Sequence, residues 1–194
     1  DLSFPDWYAK AKALEGKPDS VHAEHYYFRL NGVMGGAGDF LYDELPFFSP
    51  EHRSEVFMAD PQDARGINCR LGSKGIIAET HFDMSRNFIL ILQGQKRYIL
   101  AHPDQCKGME LYPNGHPSAR HSSVNWSSPD SWFADGNDNF RGAQVNEVVL
   151  QAGDGLYLPT YWFHFIVSLN MNYQCNARSG VTFENQHYIT ECGF

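Results

Sequence analysis

His81-Phe82-Asp83 and the later run Gly153-Asp154-Gly155-Leu156-Tyr157-Leu158-Pro159-Thr160-Tyr161-Trp162-Phe163-His164 hold the densest information in this chain. On an extended strand, residues two apart point to the same face, roughly 6.5 Å apart along the backbone. His81 and Asp83 can therefore close on one ion. His164 follows Trp162 and Phe163 on a second strand-like segment, where an unpaired imidazole would be costly unless bonded or ligated.

Strands spread outward in both directions from these two stretches. Ile67–Leu71, Ile76–Asp83, Asn87–Gln93 and Lys96–Ala101 are rich in β-branched and aromatic residues and bounded by Gly72, Gly75 and Gly94. Gly94-Gln95 reads as a two-residue hairpin turn needing positive φ at its first position. Strands resume at Glu147–Gln151, Gly155–Leu158, Phe163–Leu169 and Asn172–Arg178. Before them, Phe4–Leu14 reads as a helix with Pro5 in its first turn, and His25–Leu30 as a strand. Asp104–Ser131 reads as loop, with Ser128-Pro129-Asp130 starting a short helix. The glycine-rich Asn31–Gly38 lacks the lysine-serine/threonine ending of a phosphate loop and reads as turns.

At least eight strands with short helices imply an all-β core closed as a barrel or double-sheet jelly roll, the cupin architecture. Residues 1–194 are expected to form a single domain, with a helical and strand lead-in over 1–60 and the β core over 66–180. A chain of 194 residues suits one core of this size.

Composition narrows the function classes. The chain is 42% hydrophobic and 20% charged, with 14 Phe, 10 Tyr and 4 Trp, which is globular. No apolar run reaches the ~18 residues of a membrane-spanning helix, so no membrane partner is expected. A net charge of −8 makes nucleic acid an unlikely partner but leaves a basic peptide open. Cys69, Cys106, Cys175 and Cys192 form no C-x-x-C pair and read as reduced core residues, leaning toward a cytoplasmic or nuclear setting. Asp1 opens the chain with no Met and no charged-then-apolar leader, which leaves the compartment open.

Two imidazoles and one carboxylate occupy one face of an octahedral metal and leave about three positions free, the ligand set of non-haem Fe(II) oxygenases. The other histidines (His22, His25, His52, His102, His116, His121, His187) fall mostly in loops and read as surface residues. Lys96 opens a strand; if it points inward it needs an anion, because an uncompensated buried ammonium costs several kcal/mol. Alternation sets Asn172, Gln174, Asn176 and Arg178 on one face, which favours a polar lumen beside the His164 strand.

His81-x-Asp83, Asn87, Lys96 and Gly153-Asp154-x-Leu156-Tyr157-Leu158-Pro159-x-x-Trp162-x-His164 resemble the JmjC-domain Fe(II)/2-oxoglutarate oxygenases. Within that group they most resemble the small protein hydroxylases typified by factor inhibiting HIF. The resemblance runs from about Tyr26 to Arg178. It implies a double-stranded β-helix with His81, Asp83 and His164 on iron. It also implies that Asn87 and Asn176 attend the iron-bound end of 2-oxoglutarate, while Lys96 and Tyr27 (Tyr26 the alternative) hold its distal carboxylate. The activity implied is hydroxylation of a protein or peptide side chain. Lysine demethylation, small-molecule or RNA-base hydroxylation and a non-catalytic binding module are the alternatives.

Two departures stand out. The family often has a threonine three residues before the first metal histidine, where this chain has Ala78; Thr80 is expected to face the other way. The chain also ends 30 residues after His164, without the helical extension that dimerises factor inhibiting HIF, so the resemblance leans toward a monomer. Specificity is expected in the loops Gly32–Asp39 and Met109–Asn146.

Overall fold

The structure, a computed structural model, describes residues 2–18, 24–49, 64–128, 130, 132 and 139–194. His22, His52 and Pro129 lie outside the described residues. Nine strands are described: β1 (Tyr27–Gly32), β2 (Ala64–Gly72), β3 (Ile77–Phe82), β4 (Arg86–Gln93), β5 (Gln95–Ala101), β6 (Asn146–Gln151), β7 (Gly155–Leu158), β8 (Phe163–Ser168) and β9 (Asn172–Ser179). Three α-helices accompany them, α1 (Phe4–Leu14), α2 (Phe40–Glu44) and α3 (Gln186–Glu191).

The strands form two antiparallel sheets, ordered β1-β2-β9-β4-β7 and β3-β8-β5-β6. Sequence neighbours repeatedly land in different sheets, as a double-stranded β-helix requires. Gly94 shows the consequence. Its φ is +76°, as the sequence predicts, yet β4 and β5 do not pair. The turn is a corner that carries the chain from one sheet to the other, so the hairpin expectation is corrected. A Cβ at Gly94 would stand 2.3 Å from the Met171 carbonyl oxygen, so only glycine fits the corner.

Strict alternation separates an inner face from two outer ones. Between the sheets, Ile89 and Ile91 of β4 meet Tyr98 of β5 and Leu150 of β6. Outside the second sheet, Ile99, Phe163 and Phe165 pack on Met109, Trp126 and Ile189. Outside the first, Ile67, Cys69 and Cys175 pack on Leu41 and Phe48. Helix α1 covers the end of that face. Ser3 caps it by accepting from the Asp6 N–H, and Trp7 and Ala11, four apart and both buried, press on Leu71. Truncating Trp7 would cost about 3–5 kcal/mol.

The cysteines correct a further expectation. Cys69 on β2 stands opposite Cys175 on β9 and is disulfide-bonded to it, and Cys106 is bonded to Cys192; among the described residues no cysteine is free. Cross-strand register, which spacing in sequence does not reveal, brings the first pair together. The argument for a reducing compartment loses its support with them. No helix among the described residues is long and apolar enough to cross a membrane.

Candidate metal centre and its cavity

Strands β3 and β8 pair with His81 directly opposite His164, and the two rings lie 4.3 Å apart between centroids. A bulge between Ala78 and His81 sets this register. Asp83 follows the end of β3, and its carbonyl accepts from the Tyr161 N–H at 2.9 Å. Tyr161 holds a left-handed φ of +71° in the turn that leads into His164, a strained residue of the kind that clusters at functional sites. One candidate ligand atom from each of His81, Asp83 and His164 falls within 4.8 Å of the others.

The donor chemistry fits a cation. His81 Nδ1 lies 2.7 Å from the Glu79 carbonyl oxygen, and His164 Nδ1 lies 3.0 Å from that of Trp162. A carbonyl only accepts, so each Nδ1 carries the proton and each Nε2 keeps its lone pair for a metal. Burial holds both imidazoles below the ordinary histidine range, His164 at about 3, with the neighbouring His81 adding to the effect. Both shifts favour the neutral imidazole, the form that binds a metal. Burial works against the Asp83 charge, but His164, Arg178, His81 and Arg120 together outweigh it and keep the carboxyl below its usual value. Arg178 Nη2 approaches Asp83 Oδ2 to 2.6 Å, and His164 Nε2 lies 3.9 Å from the same oxygen.

The triad opens on a cavity of about 430 Å³ between the sheets, lined by residues of both. Lys96 lies on its wall and is 4% exposed, so it points inward. Its ammonium is pushed down to about 7, first by burial and then by the Arg70 charge. Asn87 also lines the cavity. Asn176 is fully buried and joins two of the walls: its Nδ2 donates to Asn87 Oδ1 at 2.8 Å, and its Oδ1 accepts from Arg70 Nη1 at 2.6 Å. Tyr27 reaches the cavity, whereas the Tyr26 hydroxyl donates to Glu24. Ala78 lines the cavity, and Thr80 is buried with its carbonyl bonded to the Ser122 N–H.

Sequence reasoning placed part of the polar face of β9: Gln174 and Arg178 line the cavity and Asn176 is buried, but Asn172 lines another, apolar hollow. It missed Arg70 and Ser168. Arg70 alternates with Cys69 and Leu71 on β2, a signal visible in the sequence, but nothing there says which face is the lumen. His121 was read as a surface residue; instead its ring stacks on His81 with centroids 4.9 Å apart. A second hollow of about 380 Å³, almost wholly apolar, lies under α1 and contains no triad residue.

Known proteins agree with this architecture. A family described as "Cupin-like domain" matches residues 12–181. The tRNA wybutosine-synthesizing protein 5 of Mus musculus is 33% identical over 123 residues, which cover 63% of this chain and 35% of that protein. Its counterpart in Homo sapiens is 30% identical over 171 residues, 87% of this chain and 49% of that protein. A lysine-specific demethylase of Arabidopsis thaliana is 26% identical over 129 residues, 63% of this chain and 23% of that protein. The chain thus spans between about a quarter and a half of the length of these relatives. By its match over residues 12–181 and its paired antiparallel sheets, the chain belongs to the cupin-like domain family.

Proposed function

We propose that the protein is an Fe(II)- and 2-oxoglutarate-dependent oxygenase that hydroxylates a side chain of a protein or peptide. The observation that carries this reading is the triad itself: two imidazoles with Nε2 free and one carboxylate, beside a cavity lined by several cations. Iron and 2-oxoglutarate, when bound, supply the oxidising chemistry, with O₂ consumed and the cosubstrate converted to succinate and CO₂.

The chain's own residues do the rest. His81, Asp83 and His164 would hold the metal, a ligand set that supports oxygen chemistry. Lys96 sits deep enough to take the distal carboxylate of the cosubstrate, with Tyr27 on the wall of the same cavity. Asn87, braced by Asn176, attends the metal-bound end. The apolar packing of Ile89, Ile91 and Tyr98 between the sheets would help to exclude water from the site.

A second reading, oxidation of a modified RNA base, draws on the charges around the cavity. Arg65, Arg70 and Arg120 all act on Arg178, so the net charge of −8 conceals a cationic site. The relatives named for wybutosine synthesis point the same way. Lysine demethylation is the third outcome, by likeness to relatives of that name. A non-catalytic module is disfavoured because all three ligand positions are filled by ligand residues.

Incubation with Fe(II), ascorbate and 2-oxoglutarate tests the reading. Succinate is expected from the parent protein and not from His164→Ala. Mass analysis of a peptide or RNA substrate then distinguishes a gain of one oxygen from the loss of a methyl group. Equal succinate from parent and variant would overturn the proposal.

A further inference from the structure

The resemblance leaves the distal carboxylate one hydroxyl short, because Ala78 stands where the family often has a threonine. Arg70 and Ser168 also stand on the cavity wall. Arg70 enters from β2 and lines the same cavity as Lys96. Its charge acts on Lys96, and the effect is repulsive. Ser168 enters from β8, opposite Lys96 in the β5–β8 register. The residue is 2% exposed, and its Oγ is buried without a hydrogen-bond partner.

Each fact is unfavourable for the protein alone. Among the described residues, two cations share a low-dielectric space with no carboxylate acting on Lys96, and a buried hydroxyl left unbonded costs about 1–3 kcal/mol. An oxyanion between them relieves all three at once. It pairs with the ammonium, accepts from the guanidinium and accepts from the hydroxyl. The guanidinium is held in place on its other side, since Arg70 Nη1 is spent on Asn176 Oδ1.

We infer that Arg70 and Ser168, with Lys96, form a three-point clamp for the distal carboxylate of the 2-oxo acid, replacing the hydroxyl missing at Ala78. The inference rests on the reading of the protein as a 2-oxoglutarate enzyme and extends it by naming two positioning residues. Arg70 adds a second full charge where one lysine would serve, so this cavity should discriminate against 2-oxo acids that lack the second carboxylate more sharply than lysine alone would allow.

The test compares 2-oxoglutarate with 2-oxovalerate, which has a methyl group in place of the distal carboxylate. Binding of each is measured by calorimetry on protein loaded with Mn²⁺, so no turnover is needed. The parent should favour 2-oxoglutarate strongly. Arg70→Gln should cut that preference by roughly 10-fold or more, as expected for loss of one charge-assisted bond, and Arg70→Lys should restore part of it. Ser168→Ala should cut it by roughly 2- to 10-fold, the range for one neutral hydrogen bond. Because each variant is judged by the ratio of two ligands, general damage to the cavity, which lowers both affinities together, leaves the ratio at the parent's value and overturns the inference. If neither acid binds the Mn²⁺-loaded parent, the cosubstrate reading itself falls. If both bind and neither Arg70→Gln nor Ser168→Ala changes the ratio, only the clamp falls.

Discussion

Arg178 Nη2 lies 2.6 Å from Asp83 Oδ2, so the one carboxylate of the triad is already paired with a guanidinium. The pair joins β9 to the end of β3, across the two sheets. A divalent ion on Asp83 would stand beside that positive charge, and the two must share one carboxylate.

The first expectation follows from this competition. Arg178→Met leaves Asp83 with weaker compensation, so the metal-free protein should lose about 1–3 kcal/mol, the cost of an unsatisfied buried polar group. The same change removes a repulsion and should tighten Mn²⁺ binding. Thermal unfolding with a chelator and with excess Mn²⁺ checks both: the variant's Tm should be lower with chelator, and its metal-induced rise larger. A smaller rise would show that Arg178 assists metal binding.

Lys96 sets a pH dependence. Its folded pKa of about 7 lies below the unfolded value of 10.5, so the protein without an anion gains stability as pH rises between them, where the unfolded chain binds a proton that the folded one has released. Binding a carboxylate demands the charged lysine. Affinity for 2-oxoglutarate should therefore fall as pH rises above about 7, by at most tenfold per unit. Lys96→Ala should weaken binding by roughly 10- to 150-fold near neutrality and flatten the profile. A profile as steep in the variant as in the parent would assign the titration to another group.

The strands were legible from the sequence because period-two alternation and glycine boundaries are local signals. Phe4–Leu14 and Gly155–Leu158 have the expected bounds, and most other strands shift by one or two residues at an end. The candidate metal ligands stand out for a similar reason: His81 and Asp83 are two apart, and His164 lies in a distinctive run. What failed was non-local. Gly94 has the dihedral of a hairpin turn but serves as a corner, because the choice between sheets is made by what β4 and β5 meet elsewhere. Cys69 and Cys175 meet through a register set 106 residues apart. His121 reaches His81 from a loop whose path no periodicity describes.

The cysteine pairing has its own check. Thiol titration of protein denatured without reductant should find no free thiol. Reduction should lower Tm, with the 106-residue span of the Cys69–Cys175 bridge setting an upper bound of about 4–5 kcal/mol on the chain-entropy estimate. Four reactive thiols would contradict the pairing and restore the reduced reading.

The central claim is that one metal sits on His81, Asp83 and His164 and receives 2-oxoglutarate through the open face. Absorption spectroscopy under nitrogen tests it directly, because chelation of a 2-oxo acid to Fe(II) produces a visible charge-transfer band. Adding 2-oxoglutarate to the Fe(II)-loaded parent should raise that band with saturable, one-to-one stoichiometry. Asp83→Ala, confirmed as folded by circular dichroism, should not show it. A band of equal strength in Asp83→Ala, or none in the parent at saturating Fe(II) and 2-oxoglutarate, would contradict the account.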